Sequence, residues 1–153
     1  MTQHDSLADI EEIRRIKAAY WRGVDTSDGD LVRSILAKDC VLDYMGCCTD
    51  PMSGTDFMPA MNVVLRGRDS WVSDAFKKAG IVSVHQGHQA EIEITGDGAA
   101  RGVWSFTDRF FFPEGAARSH FQGFGYYHET YLREDDGWKL ATTRITRLKV
   151  EMW

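Results

Sequence analysis

SVHQGHQAEIEITGDGAARGVWSFTD, residues 83–108, contains two strand-like runs joined by a Gly-Asp-Gly turn. The first run begins with His85 and His88, and the second ends with Asp108. Two extended runs separated by a short glycine turn are typical of an antiparallel hairpin. The stretch therefore predicts long paired strands that carry titratable side chains.

The rest of the chain predicts helices mostly before this hairpin and further strands after it. We expect helices over residues 5–25, 30–36 and 68–78, the last ended by Gly80, and strands over residues 40–45, 81–86, 88–95, 99–113, 120–134 and 138–150. Residues 46–67 have no clear period and predict an irregular loop, with a helical turn near residues 57–62. Helices followed by antiparallel strands are typical of an α+β fold with the helices on one face of a sheet. Strands this long must curl, so we expect a curved mixed or antiparallel sheet. It would form a cone with a pocket, covered by the N-terminal helices, in one domain of residues 1–153.

The first predicted helix has a single apolar stripe, as its periodicity of about 100° per residue requires. Asp5 or Ser6 is positioned to cap it. Lys17 interrupts the stripe, and we expect its stem to pack while its amine reaches solvent. Tyr20 and Asp25 lie at opposite edges of the stripe, where both can border a cavity beneath the helix.

Composition and charge argue against several classes of function. The 153 residues carry a formal net charge of −5 and no long basic run, so nucleic acid is not an expected partner. No apolar run is long enough to cross a membrane. The acidic N-terminus lacks the apolar core of a signal peptide, so we expect a cytoplasmic protein. Cys40, Cys47 and Cys48 cannot all pair internally, and adjacent cysteines lack metal-ligand spacing, so reduced thiols are expected.

Side chains suited to proton transfer are predicted to converge from separate elements. Tyr20 and Asp25 lie near the end of the first helix, and Tyr44 ends a short apolar strand. The histidine at position 85 can remove a proton from carbon beside a carbonyl, and tyrosines can polarise that carbonyl. The alternatives are a buried histidine bonded to backbone and tyrosine rings that merely fill the core. Asp108 shares a strand face with aromatic residues, where a carboxylate is costly unless it has a partner.

Motifs along nearly the whole chain resemble the SnoaL-like branch of the nuclear-transport-factor-two-like superfamily. In chain order they are I-x-x-I-x-x-x-Y-x-x-x-x-D, H-x-G-H-x-x-E-I-E-I, A-x-G-x-W-x-x-x-D, G-x-G-Y-Y-H-E-T-Y and G-W-K-L-x-x-x-R-x-T-R-L. The resemblance covers about residues 6–150 and implies a cystatin-like, SnoaL-like fold. The superfamily contains dehydratases, isomerases, cyclases, dehydrohalogenases and non-catalytic binders, so the fold alone does not assign an activity.

Within this branch the active-site pattern is similar to that of the bile-acid 7α-dehydratases. The resemblance implies that His85 is the catalytic base, supported by Asp25. It further implies that Tyr20 and Tyr44 stabilise an oxyanion and that Asp108 assists the departure of water. Scytalone dehydratase and hexachlorocyclohexane dehydrochlorinase use a related Asp–His pair. This chain lacks the Ser/Asn pair of the first and has Tyr20 in place of a lysine of the second, which argues against both substrates. These relatives work without a metal, so no cofactor is expected.

Six further residues are candidates for substrate binding in the pocket wall. They are Trp104, His88, Phe106, Tyr126, His128 and Arg144. His88 follows a glycine that blurs the strand alternation, so a structural role is the alternative. Arg144 is a candidate charge partner for Asp108. The two hairpin histidines with Asp25 and Asp108 make a metal site an alternative, but His-x-x-His on a strand does not hold two ligands on one face.

Two classes of function follow from the sequence. The first is a cofactor-independent, dehydratase-like lyase that abstracts a proton from a hydrophobic ring substrate such as a steroid, a polyketide or an aromatic alicycle. A ketosteroid-type isomerase uses the same parts and is the alternative within this class. The second class is a non-catalytic binding protein for a small ligand. Apolar residues expected on the exposed face near the last strand predict a homo-oligomer, either a trimer or a dimer. They are Trp138, Leu140, Leu148, Met152 and Trp153.

Overall fold

The computed structural model describes residues 3–72 and 74–153, which form an α+β fold. The helices are α1 (Gln3–Asp25), α2 (Gly29–Ile35) and α3 (Ala75–Lys78), with short 3-10 turns at Pro59–Met61 and Arg68–Ser70. The strands are β1 (Leu36–Asp43), β2 (Val64–Arg66), β3 (Val82–Gly96), β4 (Ala99–Phe111), β5 (His120–Glu134) and β6 (Gly137–Met152). The bounds of β5 agree with the sequence prediction, and those of β4 and β6 differ from it by one or two residues at their ends.

The six strands form one curved, unclosed sheet in the order β2-β1-β6-β5-β4-β3. Every neighbouring pair is antiparallel except β1 and β6, which run parallel. The N-terminal helix α1 packs over the sheet against β3 and β6. A curved mixed sheet under N-terminal helices is therefore confirmed.

Several predictions for elements in the first half of the chain are wrong. The helix expected over residues 68–78 is a 3-10 turn followed by the four-residue α3, because Trp71 has extended backbone and lines the same cavity as Phe76. Residues five apart in a helix point about 140° away from each other and could not share that wall. The strand predicted from residue 40 begins at Leu36, directly after α2, and the short edge strand β2 was not predicted. The chain is helical from Gln3, so both predicted cap residues, Asp5 and Ser6, lie inside α1 and the predicted cap is wrong.

The amine of Lys17 does not reach solvent, which corrects the sequence expectation. Its Nζ donates to Oε1 of Glu129 at 2.5 Å, and the two side chains are 1% and 0% exposed. The ammonium lies 3.4 Å from the centroid of the Tyr127 ring and 4.5 Å from those of Tyr20 and Trp21. Lys17 can therefore lie on the helix face that packs on the sheet, because its ammonium forms an ion pair with a carboxylate on β5.

A register shift in β3 begins at Gly87, the glycine between the two strands predicted over residues 81–86 and 88–95. The pairing of β3 with β4 shifts between Gly87 and Ala90, although the strand continues through it. A Cβ at Gly87 would lie 1.9 Å from the ring of Trp21, so the absence of a side chain there lets α1 approach the strand. This contact helps to set the position of the last turn of α1 over β3.

The start of β6 is buried rather than exposed, which corrects the expectation for Trp138 and Leu140. They are 2% and 1% exposed, because α1 covers this end of the strand. The Trp138 indole donates to Asp9 at 2.9 Å, and its backbone N–H donates to Glu12 at 2.9 Å. Leu148 and Trp153, further along, are 59% and 46% exposed.

Candidate active site

A cavity of about 310 Å³ lies between α1, the inner face of the sheet and the segment that leads from β1 to β3. Its wall is mostly apolar, with a few polar groups that converge on it. The lining residues that the following paragraphs use are Tyr20, Tyr44, Cys47, Cys48, Trp71, Phe76, His85, Asp108, Tyr127 and Arg147. An apolar cavity with few convergent polar groups is the usual form of a small-molecule site.

His85 and Asp25 meet at one side of this cavity. Asp25 is the last residue of α1, and His85 lies on β3, which α1 crosses. The His85 Nδ1 lies 2.6 Å from Oδ1 of Asp25, and the backbone N–H of His85 donates to Oδ2 at 2.8 Å. Ser83 donates its hydroxyl to Oδ1 at 2.9 Å. Three donors therefore fix the carboxylate, and the carboxylate fixes the ring.

The imidazole of His85 has one nitrogen engaged and one available. Its side chain is 6% exposed, it lines the cavity, and its ring lies 5.9 Å from that of Phe110. With the proton on Nδ1 directed at Asp25, Nε2 keeps its lone pair. The arrangement can accept a proton from a molecule in the cavity, with Asp25 stabilising the charge that forms on the ring.

Tyr20 and Tyr44 form a hydroxyl pair in the same cavity. Their Oη atoms lie 2.6 Å apart, Tyr20 on α1 and Tyr44 directly after β1. Burial raises the pKa of Tyr20 and of Tyr44 above the ordinary phenol value. Both phenols therefore stay protonated at neutral pH, and one O–H of the pair is free to donate to a ligand once the other is used within the pair.

Asp108 is paired with Arg147, not with Arg144 as the sequence suggested. Arg147 donates from Nη1 to Oδ1 at 2.7 Å and from Nη2 to Oδ2 at 2.9 Å, and both side chains are 3% exposed. A Cβ at Gly123 would lie 2.3 Å from Arg147 Nη1 and 2.5 Å from Asp108 Oδ1. Glycine at this position therefore leaves the space that the ion pair occupies. Arg144 is exposed on the opposite face of β6.

The other candidates for the pocket wall lie outside the cavity. His128 is exposed and its Nε2 lies 2.8 Å from the hydroxyl of Thr146, on the outer face of the sheet. Tyr126 has the same orientation on β5, because Tyr127 is the residue that faces inward. His88 is exposed within the shifted register of β3.

Trp104 and Phe106 face inward but do not line the cavity. Both are buried. The Trp104 indole donates to the hydroxyl of Tyr131 at 2.9 Å, and the Phe106 ring lies 4.4 Å from that of Tyr127. Phe106 therefore packs behind the Tyr127 ring, which lines the cavity. Of the residues that the sequence singles out, the structure brings Tyr20, Tyr44, His85 and Asp108 into the wall, with Asp25 behind His85.

Sequence reasoning missed Arg147, Tyr127 and the two cavity cysteines. The alternation on β5 was counted one residue out, although Gly123 and Gly125 share the inward face with Tyr127. The parity of β6 was equally ambiguous, because its pairing with β5 shifts between Phe124 and Gly125. The signal in the sequence is the pair of glycines on β5, Gly123 and Gly125. An inward-facing glycine leaves space for a large side chain from a neighbouring strand, as Gly123 does for Arg147.

Among the described residues, no group of three or more His, Cys, Asp and Glu side chains is arranged to hold a metal ion. Nor does any helix in that part of the chain have the length and apolarity to cross a membrane.

Comparison with known proteins gives the same fold for this chain. The model of the SnoaL-like domain family matches residues 5–144. A protein from Novosphingobium aromaticivorans, provisionally described as a scytalone dehydratase, superposes with a TM-score of 0.77 at 15% identity, covering 99% of this chain and 92% of its own. A type 3 hexachlorocyclohexane dehydrochlorinase from Novosphingobium barchaimii gives a TM-score of 0.77 at 16% identity, covering 99% and 94%. A protein from Kribbella flavida gives 0.76 at 16% identity, covering 95% of each chain. At this level of identity the likeness concerns the fold.

Proposed function

This chain belongs to the SnoaL-like domain family of the nuclear-transport-factor-two-like superfamily, and on that premise we propose that it is a dehydratase-like lyase. The substrate is a hydrophobic ring compound with a carbonyl group, of the steroid, polyketide or aromatic alicycle type. The enzyme removes a proton from the carbon beside that carbonyl and expels a substituent from the next carbon. His85, held by Asp25, is the base.

The observation that carries this proposal is the His85–Asp25 pair at the wall of an apolar cavity. The 2.6 Å contact from Nδ1 to Asp25 leaves Nε2 as the acceptor nitrogen on the cavity side. General-base catalysis requires a basic atom that is free to accept the proton and is held in a fixed orientation. Nε2 of His85 is such an atom, and the three donors to Asp25 support its orientation.

The Tyr20–Tyr44 pair is the proposed binding site for the substrate carbonyl. As the proton leaves the carbon, negative charge accumulates on the carbonyl oxygen, and hydrogen-bond donors placed in advance lower the energy of that state. Burial keeps both phenols protonated. Trp71 and Phe76 add aromatic surface for the ring of the substrate.

The elimination balances without a cofactor. The electron pair of the broken C–H bond forms the new double bond, and the bond to the leaving hydroxyl breaks. The proton on His85 passes to that hydroxyl, which departs as water. Structural neighbours named for scytalone dehydratase and hexachlorocyclohexane dehydrochlorinase activities support elimination as the reaction type.

Isomerisation is the second candidate, and the engagement of Asp108 is compatible with it. Both oxygens of Asp108 accept from Arg147, so His85 is the proton carrier in either reaction. In an isomerisation His85 returns the proton to another carbon of the same substrate, whereas in the elimination it passes the proton to the leaving hydroxyl. Product mass separates the two reactions, because only elimination loses water.

The test begins with proton abstraction alone. Purified protein is incubated with cyclohexanone or β-tetralone in heavy water, and mass spectrometry follows deuterium uptake at the carbons beside the carbonyl. We expect exchange well above the uncatalysed rate, abolished in His85→Gln. A cyclic β-hydroxyketone and a β,γ-unsaturated cyclic ketone then distinguish elimination from isomerisation.

The matched control is His88→Gln, which changes an exposed histidine on the same strand. It should exchange as the wild type does. Binding of the ketones without any catalysed exchange would identify a non-catalytic ligand-binding protein. Full exchange in His85→Gln would remove the proposed base.

We also propose that the chain forms a homo-oligomer, with a trimer preferred over a dimer. Exposed apolar side chains near the ends of β4 and β6 support it, with Phe111 at 41% and Trp153 at 46% exposure.

A further inference from the structure

A pair of thiols lies in the cavity wall and has no part in the proton-transfer chemistry above. Cys47 and Cys48 are adjacent in sequence, both line the cavity, and their Sγ atoms lie 3.7 Å apart. Neither forms a disulfide, and both are buried. Cys40, the remaining cysteine, is buried outside the cavity. Two thiols in contact inside a ligand cavity make a nucleophilic site distinct from His85.

The contacts of the two sulfurs differ, and they make Cys47 the stronger nucleophile. The Cys47 thiol can donate to the carbonyl of Met61, 3.9 Å away, which leaves the Cys48 thiol as the donor in the 3.7 Å contact between the two sulfurs. Arg147 donates from Nε to the Cys47 carbonyl at 2.5 Å, and this hydrogen bond holds the guanidinium of Arg147 next to Cys47. The hydrogen bond from Cys48 lowers the pKa of the Cys47 thiol, and the same contact raises that of Cys48. The thiolate is the reactive form of cysteine.

We propose that the Cys47–Cys48 pair is a covalent capture site for α,β-unsaturated carbonyl compounds, with Cys47 as the sulfur that adds. The Cys47 sulfur forms a bond to the β-carbon, and the electron pair of the carbon–carbon double bond moves toward the carbonyl oxygen. The α-carbon then gains a proton, which balances the proton lost from the thiol. The net reaction adds S–H across the double bond and needs no oxidant or reductant.

This inference rests on the proposed function for its biological meaning. Elimination beside a carbonyl yields an α,β-unsaturated carbonyl compound, which is the electrophile that thiols add to. The Tyr20–Tyr44 hydroxyls that hold the carbonyl during elimination would hold the same oxygen during addition. The thiol pair would therefore retain product when product accumulates and make the enzyme sensitive to cyclic enones.

The experiment measures adduct formation directly. The full chain is incubated with cyclohex-2-enone, and intact-mass and peptide mass spectrometry count and locate the adducts. Cyclohexanone, which lacks the double bond, serves as the ligand control. We expect one adduct on Cys47, lost in Cys47→Ser and Cys47→Ala and retained in Cys40→Ser. Cys48→Ala removes the donor to the reacting sulfur and should slow the reaction by about fivefold, which corresponds to the loss of one hydrogen bond.

Other outcomes overturn the proposal. An adduct on Cys40, an equal rate on Cys47 and Cys48, or modification no faster than that of free cysteine would each do so. Circular dichroism of every variant checks that the fold is retained. Because adducts are counted by mass, the result is independent of turnover. A chain that forms the Cys47 adduct but catalyses no deuterium exchange refutes the lyase and leaves the capture site, and the reverse result refutes only the capture site.

Discussion

Lys17 and Glu129 form an ion pair with 2.5 Å between Nζ and Oε1, and neither side chain reaches solvent. Glu129 also accepts hydrogen bonds from the hydroxyls of Thr143, at 2.9 Å, and Tyr131. The pair lies under the Tyr20 and Tyr127 rings, which line the cavity. A buried charge with all its partners fixes the packing of the groups around it.

Removal of one partner of this pair should destabilise the protein strongly. Lys17→Met leaves the Glu129 carboxylate buried without its cation, and we expect a loss of about 3–5 kcal/mol in the free energy of unfolding. Lys17→Met/Glu129→Gln removes both charges and should recover part of that loss. Urea denaturation measures both. Arg101→Met, which breaks an exposed pair with Glu93, is the control and should cost about 1 kcal/mol or less. Equal losses for Lys17→Met and the control would contradict this prediction.

The same pair predicts a pH dependence of stability. Burial lowers the pKa of Lys17 from 10.5 to about 8, against the raising effect of Glu129. Between these values the unfolded chain holds the proton and the folded protein does not, so the free energy of unfolding rises with pH. The wild type should therefore gain stability relative to Lys17→Met/Glu129→Gln as the pH increases from about 8 towards 10.5. Urea denaturation at several pH values in this window, at constant ionic strength, measures the difference. A difference that falls with pH would contradict the assignment.

The strands of the second half could be predicted because each alternates over many residues. β5, for example, buries every second residue from Phe121 to Tyr131, and its ends coincide with the predicted ones. The segment from residue 46 to residue 80 was harder, because its side chains follow the cavity surface and not a helical or strand period. Trp71 and Phe76 are held by packing that no local pattern encodes.

Residue chemistry predicts part of the site, whereas the rest depends on strand register and on distant partners. His85 and Asp25 were selected as a candidate pair, and they lie in hydrogen-bonding contact. The partner of Asp108 depended on strand parity, which a register shift in the β5–β6 pairing made ambiguous. The pattern of α1 does not predict that the Lys17 amine is buried, since its partner Glu129 lies 112 residues away. A buried lysine can be predicted only when its carboxylate is known to face it.

Gly87 should tolerate no side chain. A Cβ there would lie 1.9 Å from the Trp21 ring, so Gly87→Ala must displace the buried indole, α1 or β3. We expect a loss of about 1–3 kcal/mol in the free energy of unfolding, the usual cost of overpacking. Gly96→Ala is the matched control on the same strand, because nothing lies within 4 Å of a Cβ at that position. Chemical denaturation compares them, and an equal effect of the two substitutions would refute the contact.

The exposed apolar patch at the ends of β4 and β6 should be an interface between copies of the chain. The Trp153 ring lies 4.0 Å from that of His120, which lies 6.2 Å from Phe111. Light scattering at micromolar concentration should give a multiple of 17.4 kDa, with three copies expected. Phe111→Lys should reduce that mass, because it places a charge in the patch, whereas Met52→Lys, at an exposed loop position, should not. A wild-type mass of one chain contradicts the oligomer.

The rate of deuterium exchange should fall further in variants that lose more of the hydrogen bonds by which Asp25 orients His85. Asp25 accepts from the His85 ring, the His85 backbone N–H and the Ser83 hydroxyl, and an asparagine has only one acceptor oxygen for these three donors. Asp25→Asn should lower deuterium exchange about tenfold to hundredfold, because a charge-assisted hydrogen bond is lost. Ser83→Ala removes one neutral hydrogen bond to the carboxylate and should cost only a few-fold.

The expected order of exchange rates is therefore wild type, Ser83→Ala, Asp25→Asn and, last, His85→Gln. Thermal denaturation of each variant separates loss of orientation from loss of fold, since only the latter lowers the melting temperature in parallel with the rate. Exchange in Asp25→Asn at the wild-type rate would mean that the carboxylate does not support the base. A Ser83→Ala variant as slow as His85→Gln would mean that proton transfer depends on the Ser83 hydroxyl as strongly as on the imidazole, which contradicts this graded order.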